Sequence, residues 1–204
     1  PNNIDLTSDL VIPSGAVVTI DLNGHTLKGT GTGSVITVEG TLNIRDGGSG
    51  GSITGGNAEN GGGILVKNGG RLVLVSGVIC QNTAKAGGGV YVEADGHFEM
   101  TGGEISYNTS TNVKSAGGGG VAIDDGAEFN RSGGKISNNA SYIQGGGVFT
   151  NGTMNMSGGE ISENKAPAGA GVMTNKNSFT MTAGVIKNNV ANCEDNITNG
   201  GTFN

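Results

Sequence analysis

Four carboxylates stand at two equivalent places in this chain, Glu93 with Asp95 and Asp124 with Asp125, each pair just after a short aliphatic run. Carboxylates brought together do two kinds of chemistry. A pair acts as general acid and base on a glycosidic bond, and a larger group holds Ca2+. Lyase chemistry with Ca2+ also needs a basic residue, and Lys67, at the position equivalent to Glu93, is the candidate. The residues favour a solvated acidic corner, with weak Ca2+ binding as the alternative and catalysis behind both. No cofactor is expected, since the Gly-Gly-x-Gly-x-Asp repeat of calcium-binding rolls is absent. His25 and His97 add little: neither has metal-ligand spacing to another His or Cys, so both read as surface or corner residues.

A different set of side chains fits binding. Leu65, Tyr91, Ala122, Phe149 and Met173 each lie between two residues that point inward, so alternation turns all of them outward. An apolar stripe with two aromatic rings marks a ligand-binding face or a surface covered by a neighbour, the neighbour here being the insertion at 109–116 or a flanking domain. Tyr91 and Phe149 are two repeats apart, roughly 10 Å, about the span of two sugar units. One further residue is out of keeping with its column. Arg131 takes the place held elsewhere by Leu74, Met100, Met156 and Met181, and is expected at a core edge where its long stem lets the cation reach water.

These residues are aligned by a repeat. Gly61-Gly62-Gly63-Ile64, Gly87-Gly88-Gly89-Val90, Gly118-Gly119-Gly120-Val121, Gly145-Gly146-Gly147-Val148 and Gly169-Ala170-Gly171-Val172 recur every ~24 to ~31 residues, the period of a solenoid. In the second copy, period-two alternation puts Val90 and Val92 on one inward face, Phe98 and Met100 on the next and Ile105 on a third. Three short strands separated by Gly-rich corners make one triangular turn. A lone turn buries almost nothing, so turns must stack, and parallel crossovers are right-handed. The expected fold is therefore all-β, a right-handed parallel β-helix of about seven coils and roughly 35 Å at ~4.8 Å per coil.

The columns agree with that stacking. Ile64, Val90, Val121, Val148, Val172 and Ile197 form the first inward row; Leu72, Phe98, Phe129, Met154, Phe179 and Phe203 the second; Ile79, Ile105, Ile136, Ile161 and Ile186 the third. Three residues after each of those isoleucines comes Asn82, Asn108, Asn139, Asn164 and Asn189, which reads as a structural ladder bonding corner to corner. Glu104, Lys135 and Glu160 share an outward column whose alternating signs favour the same register. Residues 1–60 read as an N-terminal cap, around Leu6 to Pro13, followed by irregular coils, and 61–204 as regular coils of one continuous domain.

Composition sets the outer bounds. Forty-two glycines with only 14% charged residues and a net charge of −6 are unlike an ordinary globular domain, a disordered tract or collagen. A pI near 4.8 with no Lys/Arg run argues against a nucleic-acid partner, and no apolar stretch is long enough to insert into a membrane as a helix. Cys80 and Cys193 fall four coils apart, roughly 19 Å, so both thiols are expected to be free. The chain reads as a piece of a longer protein whose further coils or domains are its neighbours.

The Gly-Gly-Gly-[Ile/Val] turn followed by an Ile-Ser-x-Asn corner resembles the repeats of polymorphic outer-membrane adhesins. It resembles still more the repeat regions of surface proteins in gut Gram-positive bacteria, as does Asp21-Leu22-Asn23-Gly24-His25-Thr26-Leu27. Gly89 and its equivalents replace the alanine of the outer-membrane repeat, and Ile105 and its equivalents its phenylalanine. The resemblance implies a pectate-lyase-like β-helix at the bacterial cell surface, extracellular and non-catalytic, which binds a host glycan or surface protein. A β-helix polysaccharide lyase or glycoside hydrolase and a purely structural spacer are the alternatives.

Overall fold

The computed structural model describes residues 2–114, 117–175 and 179–192, together with the backbone of 197–199. The chain winds as a right-handed parallel β-helix of about seven coils. First strands stack from Leu10–Ile12 through Ile36–Val38, Ile64–Val66, Val90–Val92, Val121–Ile123, Val148–Thr150 and Val172–Thr174 to Ile197–Asn199, every neighbour parallel and in register. Second strands such as His97–Met100 and third strands such as Glu104–Ser106 belong to a common sheet, because in the coil at Thr153–Ser162 the two are continuous.

The expected inward rows close the core. Ile64, Val90, Val121, Val148 and Val172 have no exposed surface; Leu72, Phe98, Phe129, Met154 and Phe179 are buried, as are Ile79, Ile105, Ile136 and Ile161, with Ile186 packed at the margin. The rings of Phe98 and Phe129 stack with centroids 4.6 Å apart and planes 3° from parallel, the offset-stacked arrangement that adds to simple burial. Phe203 and Cys193 lie outside the described residues. Cys80 is free and half-buried, and burial, with Glu104 nearby, holds its thiol above the ordinary range.

Six successive coils, from the one that begins at Ile36, have a fourth short strand besides the three expected. Asn57–Asn60, Thr83–Ala86, Thr109–Ser110, Ala140–Ser141, Lys165–Ala166 and Val190–Ala191 make a six-stranded parallel sheet. Its inward residues are small, Ala84, Ala86, Ser110, Ser141 and Ala166, so it carries no hydrophobic alternation. At the N-terminal end Leu10–Ile12 has the same aliphatic alternation as Ile36–Val38 and pairs with it residue for residue.

The asparagines are the ladder that the repeat predicts. Each side-chain amide donates to the carboxamide oxygen of the next coil's asparagine, Asn82 to Asn108, Asn108 to Asn139 and Asn139 to Asn164 at 3.0 Å, and Asn164 to Asn189 at 2.9 Å. The same amide group donates backwards, as from Asn139 to Ile105 O at 2.9 Å, and each Asn oxygen also accepts a backbone N–H from the preceding coil. The residue before each ladder asparagine takes a left-handed conformation, Gln81, Tyr107, Asn138, Glu163 and Asn188 all lying at φ 55–59°. That costs a non-glycine residue roughly 1 kcal/mol or more, a strain the ladder must offset. The ladder also explains the third glycine of each triplet. A Cβ on Gly120 would lie 2.7 Å from Gly147 O and 3.0 Å from the Asn139 amide, so the two sequence signatures are halves of one corner.

Candidate ligand-binding faces

The turn after each first strand aligns Lys67, Glu93 and Asp124 through backbone bonds from Glu93 N to Val66 O and from Asp124 N to Val92 O. The carboxylates there are parcelled out among separate partners. Lys67 Nζ reaches Glu93 at 2.7 Å; the Asn68 backbone N–H donates to the other Glu93 oxygen at 3.2 Å, and its side-chain amide donates to Asp95 at 3.2 Å. Asp124 accepts from the Asp125 backbone N–H at 2.9 Å and from the Tyr91 hydroxyl at 3.3 Å. Among the described residues no three His, Cys, Asp or Glu side chains come together as a metal-holding group. What sequence reasoning did not anticipate is the link from this corner to Tyr91.

Burial, followed by the nearby Asp124 carboxylate, pushes the Tyr91 phenol up to about 12. The fold therefore keeps a proton that the unfolded chain releases from about pH 10, so Tyr91 withdraws stability as the pH rises from about 10 to about 12. An ultraviolet titration is expected to show a late-ionising phenol that disappears in Tyr91→Phe. A parent protein whose tyrosines all ionise together near pH 10 would overturn this assignment.

The apolar stripe is in register, Leu65 beside Tyr91, Tyr91 beside Ala122, Ala122 beside Phe149 and Phe149 beside Met173. Only part of it meets solvent. Ala122 is 1% and Phe149 2% exposed, whereas Leu65, Tyr91 and Met173 are half-buried. A ligand can reach the stripe only through those three. Among the described residues the exposed aromatic rings are instead Tyr107, on the corner before the ladder, and Tyr142, just past the fourth strand Ala140–Ser141.

Arg131 does not reach water, contrary to its expected place at a core edge. It is 2% exposed, with Met100 and Met156 above and below it in register. The second strand is flanked on both sides by full coils, so its inward residue has no edge to escape over. The guanidinium folds under the following corner, where Nη2 donates to Gly134 O at 3.0 Å, Gly133 O at 3.2 Å and Glu160 O at 3.3 Å, while Nε has no partner. Among the described residues no carboxylate neutralises it, and burial pulls its pKa down to about 10.

The outer face of the second strands carries a set of polar residues that the sequence reading passed over. Glu99, Asn130 and Asn155 stand in one column, with Ser132 and Ser157 two residues further along the strands. The Asn155 amide donates to Asn130 Oδ1 at 2.8 Å, and the Asn130 amide to Glu128 Oε1 at 2.8 Å. Arg71 pairs with Glu99, and His97 Nδ1 lies 3.3 Å from Glu128. Glu99, Asn130, Arg131, Ser132, Asn155 and Ser157 line a shallow groove of about 140 Å3. Its signal in the sequence is the outward column one residue before Met100, Arg131 and Met156, which holds Glu99, Asn130 and Asn155. On the neighbouring third strands, the expected charge column holds: Lys135 lies 3.9 Å from Glu160, which Lys187 also contacts at 2.7 Å.

The fold and these faces define a parallel β-helix whose surface is organised as ladders of polar side chains, one rung per coil. Among the described residues no helix is long and apolar enough to cross a membrane. In comparison with known proteins, no family model matches the chain, and neither a curated protein nor a solved structure does.

Proposed function

We propose that this chain is a non-catalytic ligand-binding module of an extracellular bacterial surface protein, with a glycan or another surface protein as its partner. One observation carries the reading: polar side chains with unused hydrogen-bonding groups recur at one-coil spacing along the second-strand face. Such an array meets a long partner at several equivalent points, so modest single contacts add up through multivalency. The bacterial surface enters through the resemblance of the Gly-Gly-Gly and Ile-Ser-x-Asn repeats to those of surface adhesins. The purified chain is expected to bind on a printed array of host glycans and host-surface proteins while releasing neither reducing ends nor unsaturated sugars from polysaccharides. Release of such products, or failure to bind anything on the array, overturns the proposal.

A further inference from the structure

We infer that the groove of Glu99, Asn130, Ser132, Asn155 and Ser157 takes a neutral, hydroxyl-rich glycan lying along the solenoid axis, an inference that rests on the ligand-binding reading above. The first argument is the inventory of groups. Asn155 uses one amide hydrogen on Asn130, which leaves its second hydrogen and, among the described residues, its carbonyl oxygen without a protein partner. Asn130 has given one hydrogen to Glu128 and keeps the other. Ser157 donates to Arg131 O at 3.4 Å and keeps its acceptor lone pairs, and among the described residues no partner holds the Ser132 hydroxyl. Glu99 lines the groove with one of its oxygens held by Arg71. Donors and acceptors thus alternate at close range, which suits sugar hydroxyls, since each hydroxyl is both donor and acceptor.

The second argument is charge. The carboxylate that lines the groove, Glu99, is paired with Arg71, and Arg131, which also lines it, is 2% exposed with its guanidinium turned beneath the corner, so the groove presents no open cation to hold an anionic chain. With a net charge of −6 on the whole chain, a polyuronate or sulfated chain meets repulsion here, whereas a neutral chain does not. The third is direction. The Asn130–Asn155 and Ser132–Ser157 columns run from coil to coil with rungs ~4.8 Å apart, close to the advance of one sugar along an extended glycan. Beyond the hydroxyl column lie Gly102–Gly103, Gly133–Gly134 and Gly158–Gly159, whose lack of side chains leaves the groove unwalled on that side.

The test is affinity electrophoresis of the whole chain in native gels containing a neutral polysaccharide (mannan, galactomannan or xyloglucan) or polygalacturonate, with the Asn130→Ala, Asn155→Ala double variant run beside it. Both substitutions are on the outer face, and the variant's thermal melt is recorded to establish that it folds. Retardation of the parent by at least one neutral polysaccharide is expected, about tenfold weaker in the variant, with none by polygalacturonate. Retardation by polygalacturonate alone, or equal retardation of parent and folded variant, overturns the inference and leaves the ligand-binding reading standing. So does a parent that binds only proteins on the array, whereas one that binds nothing in either experiment removes both. A variant that does not melt cooperatively is replaced by Ser132→Lys, whose bulk and charge must abolish retardation by the neutral chain if the groove is the site.

Discussion

Asn139→Ala is expected to lower the unfolding free energy by about 3–5 kcal/mol, which for a chain of this size corresponds to a drop of about 10 °C in melting temperature. The carboxamide sits mid-ladder and is wholly buried. Its oxygen accepts from the Asn108 backbone N–H and from the Asn108 amide, both at 3.0 Å, and its nitrogen donates to Ile105 O at 2.9 Å and to Asn164 Oδ1 at 3.0 Å. Alanine removes all four bonds at once. The Asn164 oxygen still accepts from the backbone N–H at position 139, but the backbone and side-chain donors of Asn108 lose their acceptor in a wholly buried corner. Each such orphan costs about 1–3 kcal/mol. Asn155→Ala, at an outward asparagine, is expected to change stability by less than about 0.5 kcal/mol. Guanidinium unfolding of the two variants checks the contrast. A loss below 1 kcal/mol at Asn139 would mean that the ladder is not what holds the corner.

The parts of this fold that could be read from the sequence are those where packing demands a distinctive residue. Val90 and Val92, or Ile79 and Ile105, are aliphatic because they face a core with no exposed surface, so their rows stood out at period two and fixed the register. Asn139 and its equivalents stood out because nothing else supplies a donor and an acceptor in so small a space. The fourth strand did not stand out, since Ala84, Ser110 and Ser141 fill a narrow part of the interior where only small side chains fit and hydropathy is silent. The outer faces were read unevenly for a related reason. Phe149 looked like a ligand contact because alternation turns it outward, but its 2% exposure depends on neighbours that a one-dimensional pattern does not contain. Asn130 and Asn155 carry no local signal; their shared column and the hydrogen bond between them are what place them in one groove.

Arg131→Met is expected to leave the protein as stable or to raise its unfolding free energy by about 1–3 kcal/mol, whereas Arg131→Ala lowers it by about 3–5 kcal/mol. The coils on either side already show what methionine does at this position. Met100 runs under the next corner, its methyl carbon 2.5 Å from where a Cβ on Gly134 would stand, and Met156 does the same beneath Gly184 at 2.4 Å. Arg131 follows the same path beneath Gly159, at 2.3 Å, and there delivers a desolvated cation to three carbonyls with, among the described residues, no carboxylate in reach and an unpaired Nε. Methionine fills that path and removes the cost of burying charge. Gly134 O keeps its backbone donor, Glu160 N at 3.0 Å, so the corner stays closed. Alanine also removes the charge but empties the path, and the stacked coils above and below prevent its collapse. Chemical unfolding of both variants distinguishes two roles for the guanidinium. If Arg131→Met loses more than about 1 kcal/mol, the carbonyl cage is a net stabilising contact; if only Arg131→Ala does, the side chain is retained for its volume, and the charge is carried at a loss.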